Sequence, residues 1–249
     1  MSENWEEDLQ KYLQMGMYQP ALDMVDDILK KEKNKKALIY KAYILRSLER
    51  DDEALELVNS LLKEEVDEDL LLLKGMLLFD REEYKEAAKY FQKVTEINPK
   101  NLDAWYNLAS CYDALEEYNI SEKYYKKLIE INPEDAEAWN NLAVTLLFQD
   151  RCEEALNAAE KATELDENYD NAWYNKGLAL HYLERYKDAI KAFDRCIKLS
   201  DDPDAWYAKG ISYLLMGKKE EARKYLREAL KRNPDDEEIR EALETLENE

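Results

Sequence analysis

Apolar residues in this chain recur at helical spacing and nowhere alternate in the manner of a strand. Near the C-terminus Ile239, Ala242, Leu243 and Leu246 form a stripe opposite Glu241, Glu244 and Glu247, which predicts an amphipathic helix. The acidic run Asp235 to Glu238 lies at its N-terminal end, where negative charge complements the helix dipole. No window of alternating β-branched residues is bounded by Gly or Asn-Gly turn signals, so no strand is predicted. The strings DAWYNLA, EAWNNLA, NAWYNKG and DAWYAKG carry Trp105, Trp139, Trp173 and Trp206 at a nearly constant spacing. A fixed period of about 34 residues indicates a stacked architecture.

Extended in both directions, the grid predicts one domain over residues 1–249. Its repeats run at about 2–34, 35–67, 68–101, 102–135, 136–169, 170–202 and 203–236, with a capping helix over 237–249. All five tryptophans, Trp5 included, then fall at the fourth position of a repeat. Gly75, Gly177 and Gly210 fall at the eighth position, and Gly16 and Gly217 at the fifteenth, where a turn needs positive φ. Elsewhere that turn uses Glu or Arg with Asp nearby. Asn98-Pro99, Asn132-Pro133 and Asn233-Pro234 end the second helix of their repeats, because the residue before proline is pushed out of the α region. Small residues such as Gly177 and Ala143 are expected to meet Ala189 and Ala155 of the second helix, so that the two backbones approach closely.

Composition agrees with an all-helical chain, since only five glycines and five prolines occur in 249 residues. The formal charge of −21 disfavours nucleic acid and anionic membrane surfaces and favours basic partners. The one basic run, Lys30, Lys31, Lys33, Lys35 and Lys36, is read as cations at a helix C-terminus. Cys111, Cys152 and Cys196 show no C-x-x-C spacing, and their odd number argues against a disulfide framework and for a reducing, cytoplasmic setting. The longest apolar stretch, Leu70 to Phe79, is interrupted by Lys74 and is too short to span a bilayer, while the first residues are acidic where a secretory signal is basic.

Candidate chemistry is sparse. His181 is the only histidine, no phosphate-binding loop occurs, and the acidic run Glu64 to Asp69 lacks EF-hand spacing and reads as a solvated loop. Neither a metal nor any other cofactor is expected, and the chain reads as a non-enzyme.

The repeats resemble the tetratricopeptide family. The fourth carries Trp105, Leu108, Ala109, Tyr112, Tyr125 and Pro133, and the seventh Trp206, Gly210, Tyr213, Ala222, Ala229 and Pro234. The third has Gly75, Ala87, Phe91 and Pro99, and the first two diverge further. The resemblance implies an all-α, right-handed α-solenoid of antiparallel helix pairs, a superhelix whose first helices line a concave groove that binds a peptide or helix segment.

Carried onto this sequence, the family's groove positions are Ile39, Tyr43, Leu72, Met76, Phe79 and Tyr106 in the N-terminal half. They continue with Val144, Leu147, Phe148, Tyr174, Leu178, Tyr182, Tyr207 and Ile211. This apolar and aromatic lining, with acidic residues beside it, suits a protein partner that offers an apolar segment with basic flanks. Alternatively, some of these side chains pack between adjacent first helices, or the same surface mediates self-association into a homo-oligomer. Asn107, Asn141 and Asn175 share the sixth repeat position; such a row either pairs with the backbone of a bound peptide or bridges neighbouring helices. The carboxylate clamp with which some members hold chaperone tails is missing. Tyr106 and Ser110 stand where Lys and Asn are required, and Asn171 and Asn175 where Lys and Arg are required.

Overall fold

The computed structural model describes residues 5–248. These form helices with no strand among them, and the chain divides into two compact units between Glu117 and Tyr118. The first unit holds α1 (Trp5–Gln14), α2 (Tyr18–Leu29), α3 (Lys35–Ser47), α4 (Asp51–Glu64), α5 (Glu68–Asp80), α6 (Tyr84–Ile97) and α7 (Leu102–Ala114). The second holds α8 (Tyr118–Ile131), α9 (Ala136–Phe148), α10 (Cys152–Leu165), α11 (Asp170–Tyr182), α12 (Tyr186–Ser200), α13 (Pro203–Leu215), α14 (Lys219–Arg232) and α15 (Glu237–Asn248). Among the described residues no helix is long and apolar enough to cross a membrane.

Within each unit, successive helices pack antiparallel, and alternate helices also touch: α3 with α5 and α5 with α7 in the first, α9 with α11 and α11 with α13 in the second. No helix pair stands alone, because each buries its apolar face partly against the next. Leu9, Val25, Ile44, Leu45, Val58, Leu70 and Leu73 belong to the core of the first unit. The second ends in a cluster of Leu226, Ala229, Ile239, Leu243 and Leu246 in which α15 covers α14.

The short turns inside the helix pairs share one conformation. Gly16, Glu49, Glu82, Glu116, Asp150, Glu184 and Gly217 have φ between 57° and 74° and recur with the period of the tryptophans. The following amide reaches back past a full helical turn, as Arg50 N–H does to the Leu45 carbonyl at 2.9 Å and Arg185 N–H to Leu180 at 2.8 Å. This hydrogen bond closes the helix end. Glycine is the natural occupant of such a site, yet five of these seven turns place an acidic residue there at a conformational cost of about 1 kcal/mol.

Helix starts are fixed by Asn and Asp side chains. Asn34, Asn101, Asp135 and Asp236 accept from the amides of Ala37, Ala104, Ala138 and Ile239 at 2.8–3.1 Å. The Asn-Pro pairs stop their helices as expected, with α6, α8 and α14 ending at Ile97, Ile131 and Arg232.

One expectation is corrected and another extended. The space over Gly177 is filled mainly by the Phe193 ring and not by Ala189 alone, just as Phe91 fills the space over Gly75 and Leu226 that over Gly210. A large ring or leucine, set against the bare backbone, does the packing assigned to small residues on both sides. The acidic run after α4 is the solvated loop expected, and it also carries ion pairs: Lys33 pairs with Glu64 at 3.2 Å, and Lys35 with Glu65 at 2.7 Å and Asp67 at 2.8 Å. The basic run before α3 therefore meets the acidic run after α4, while Lys30 caps α2.

Candidate functional site

The groove residues anticipated from the sequence meet different fates in the two units. In the first, Ile39 and Tyr43 on α3 are half-buried and pack against the core. Burial, reinforced by the nearby Asp69 charge, pushes the Tyr43 hydroxyl up to about 12. Leu72 on α5 is only 8% exposed and belongs to the interior, a correction to its place in the lining. Met76 and Phe79 are half-buried, and the Phe79 ring meets Tyr84 edge-on at 5.1 Å. Tyr106 on α7 is half-buried. Asp80, one of the acidic residues beside this lining, is held by the Arg46 guanidinium at 2.6 and 3.1 Å. Much of this surface is consumed by packing between first helices.

Each of the three asparagines already makes a hydrogen bond within the protein. Asn107 donates to the Asp103 carbonyl of its own helix at 2.7 Å. Asn175 is 8% exposed and donates to Asn140 Oδ1 at 2.8 Å, bridging α11 to α9. Asn140 in turn donates to Asn141 Oδ1 at 3.3 Å and to the Tyr169 hydroxyl at 3.4 Å. At Asn175 the structure favours the alternative of bridging neighbouring helices, since its amide donates across to Asn140 of α9.

In the second unit α9 and α11 leave an open cleft of about 380 Å³ between them, lined by Val144, Leu147, Phe148, Asp150, Asn175, Leu178 and Tyr182. All of these except Asp150 are residues singled out from the sequence. Phe148 is 65% and Tyr182 61% exposed, far above what buried packing allows for side chains of this size. Tyr174 lies beside the cleft residues in sequence but turns toward the core, its ring 6.0 Å from Phe193, and burial raises its hydroxyl pKa. Tyr207 and Ile211 pack against the cluster that α15 completes, and Tyr207 donates to Glu238 at 2.8 Å.

Two contributors escaped the sequence reading. Tyr118, the first residue of α8, stacks face to face on Phe148 with ring centroids 4.9 Å apart and planes 1° from parallel. Glu122, 11% exposed, sits one turn further along and gathers Lys126 and Arg151 at 2.6 Å and Gln149 at 3.2 Å. Burial raises the pKa of Glu122, yet these hydrogen bonds outweigh it and hold the carboxyl at about 2. Gln149 also donates to the Tyr118 carbonyl at 3.2 Å, so the turn carrying Phe148 is tied to α8. The recurrence of Tyr at the first position of α2, α6, α8 and α12 is the signal that could have disclosed Tyr118.

Reactive groups elsewhere are occupied. His181 Nδ1 lies 2.8 Å from Ser212 Oγ, but Ser212 is fully buried and donates to the Ala208 carbonyl at 2.9 Å. Burial lowers the His181 pKa, disfavouring the charged ring. Cys111, Cys152 and Cys196 are buried free thiols, and burial pushes Cys111 up to about 12 and Cys196 to about 11. No group of three or more His, Cys, Asp or Glu among the described residues is placed to hold a metal ion.

The arrangement of helices is shared with known repeat proteins. A tetratricopeptide repeat protein from Parabacteroides merdae superposes with a TM-score of 0.69 at 18% identity, covering 98% of each chain. The C-terminal part of a TPR repeat-containing protein from Cytophaga hutchinsonii gives 0.73 at 14%, over 95% of this chain and 98% of the other. YrrB, described as a TPR protein with an unusual peptide-binding site, gives 0.62 at 22%, over 76% and 96%. No curated protein matches the sequence. The family described as cilia and flagella-associated protein 70 C-terminal domain matches residues 21–248.

Proposed function

We infer function from kinship: the chain belongs to the tetratricopeptide-repeat family of the cilia and flagella-associated protein 70 C-terminal domain, and proteins of this fold bind other proteins or peptides. This chain acts as a non-catalytic interaction scaffold, and the cleft between α9 and α11 receives the partner. The supporting observation is the pair of exposed aromatic rings, Phe148 and Tyr182, beside Val144, Leu147 and Leu178 in one concavity. Exposed apolar surface rimmed by polar residues marks an interaction site. The occupant is a peptide segment with an apolar anchor and basic flanks, because the chain carries 57 acidic against 36 basic residues. At about 380 Å³ the cleft lies toward the small end of ligand sites, which range over roughly 300–1,000 Å³, so it takes one or two side chains and not a whole helix.

The reading is tested by panning a random peptide display library against the chain and against Leu147→Glu and Phe148→Asp variants with unchanged circular dichroism and melting temperature. Enrichment on the wild type that both substitutions abolish is expected. Equal enrichment on all three rejects the cleft as the binding site. A mass that rises with concentration by light scattering, and that Phe148→Asp returns to the monomer, assigns the cleft to a second copy instead.

A further inference from the structure

One residue of the cleft carries a charge in an otherwise uncharged lining. Asp150 stands in the concavity beside Phe148 and Tyr182 and has no ion-pair partner among the described residues. Among the described residues its one side-chain hydrogen bond is a 3.9 Å contact from Cys152 Sγ. The neighbouring Arg151 cannot neutralise it, because that guanidinium is divided between Glu122 and Glu154. Asp150 also occupies the positive-φ position of its turn, φ 57°, where four other turns place the longer Glu and where Gly16 and Gly217 serve the same geometry without a side chain. The turn itself has no need of a carboxylate.

We propose that Phe148, Tyr182 and Asp150 form a subsite for an arginine side chain of the bound peptide. The proposal rests on the cleft being the peptide site and names the residue that it selects. Arginine matches each part of the lining. Its aliphatic stem covers apolar surface such as Leu147 and Leu178. Its planar guanidinium stacks on exposed aromatic faces. Its paired N–H groups fork onto the free carboxylate. Lysine can sit over a ring, as Lys209 does over Tyr225. Its strongly hydrated point charge, however, presents no planar group to lie flat on the ring and fork onto the carboxylate, so it binds less well. A wholly apolar side chain leaves the Asp150 charge without a partner as water is expelled from the cleft.

The test uses the full chain and the same display library. Motifs enriched on the wild type are expected to carry arginine next to an apolar residue. The best such peptide is then synthesised in three forms, with Arg, Lys or norleucine at that position, and its affinity is measured by fluorescence anisotropy for wild type and Asp150→Asn. Asparagine is nearly isosteric with aspartate and tolerates the left-handed region, so this variant removes charge and leaves the turn intact. The expected result is about tenfold loss of affinity for the Arg peptide on Asp150→Asn, with the norleucine peptide unchanged. Enriched motifs without arginine, or equal affinity of the Arg and norleucine peptides on the wild type, overturn the subsite while leaving the cleft in place. Binding that Phe148→Asp and Leu147→Glu do not disturb overturns both.

Discussion

The indole Nε1 of Trp139 donates to the carbonyl oxygen of Pro133, in the loop before its own helix, at 2.9 Å. Trp105 makes the same bond to Pro99 and Trp173 to Glu167, both at 2.9 Å, while Trp206 reaches the Asp201 carboxylate at 2.8 Å. The periodic tryptophans are half-buried, and each of these four fastens the loop that precedes its helix.

Trp139→Phe keeps an aromatic ring and removes the donor. We expect a loss of about 1 kcal/mol, the usual net value of one hydrogen bond. For a chain of this size that lowers the melting temperature by about 2–4 °C in calorimetry. An unchanged transition shows that the bond does not fasten the loop.

Gly177→Ala sets a methyl group against the Phe193 ring, and Gly75→Ala sets one 2.6 Å from the Phe91 ring. Both rings are fully buried, so each substitution should destabilise by about 1–3 kcal/mol in urea titration. Shortening the ring restores space: Gly177→Ala combined with Phe193→Leu is expected to be less unstable than the sum of the two single changes. Strict additivity refutes direct packing between the two residues.

Glu122 gives the fold a pH dependence of known sign. Its folded carboxyl titrates near 2 against an ordinary value of 4.5, so its contribution is fully present above about pH 4.5 and is lost as pH falls toward 2. Glu122→Gln should therefore cost on the order of 2 kcal/mol at neutral pH, and the gap to wild type should close on acidification. Urea titrations across pH 2–7 measure it. A gap that does not change with pH shows that the ionised form is not what Arg151 and Lys126 hold.

Local rules made much of the architecture legible. Proline excludes the preceding residue from the helix, which is why Asn98, Asn132 and Asn233 mark helix ends without reference to the rest of the molecule. A side chain that recurs at one repeat position meets the same local backbone each time, so the tryptophan grid announced helix pairs and the family. The positive-φ turns were half legible: Gly16 and Gly217 disclosed the conformation, whereas five acidic residues in the same geometry run against its glycine preference.

Which surface stays open was decided only by tertiary structure. Asn107, Asn141 and Asn175 are the same residue at the same repeat position, yet one bonds within its helix, one accepts from its neighbour Asn140 and one is buried against that same Asn140. Leu72 and Phe148 were both assigned to the lining, but Leu72 is interior and Phe148 lies exposed on Tyr118 of α8. Periodicity reports which face of a helix a residue occupies. Its partners come from the neighbouring helix roughly one repeat away, and they determine whether that face is packed, hydrogen-bonded or left to receive a ligand.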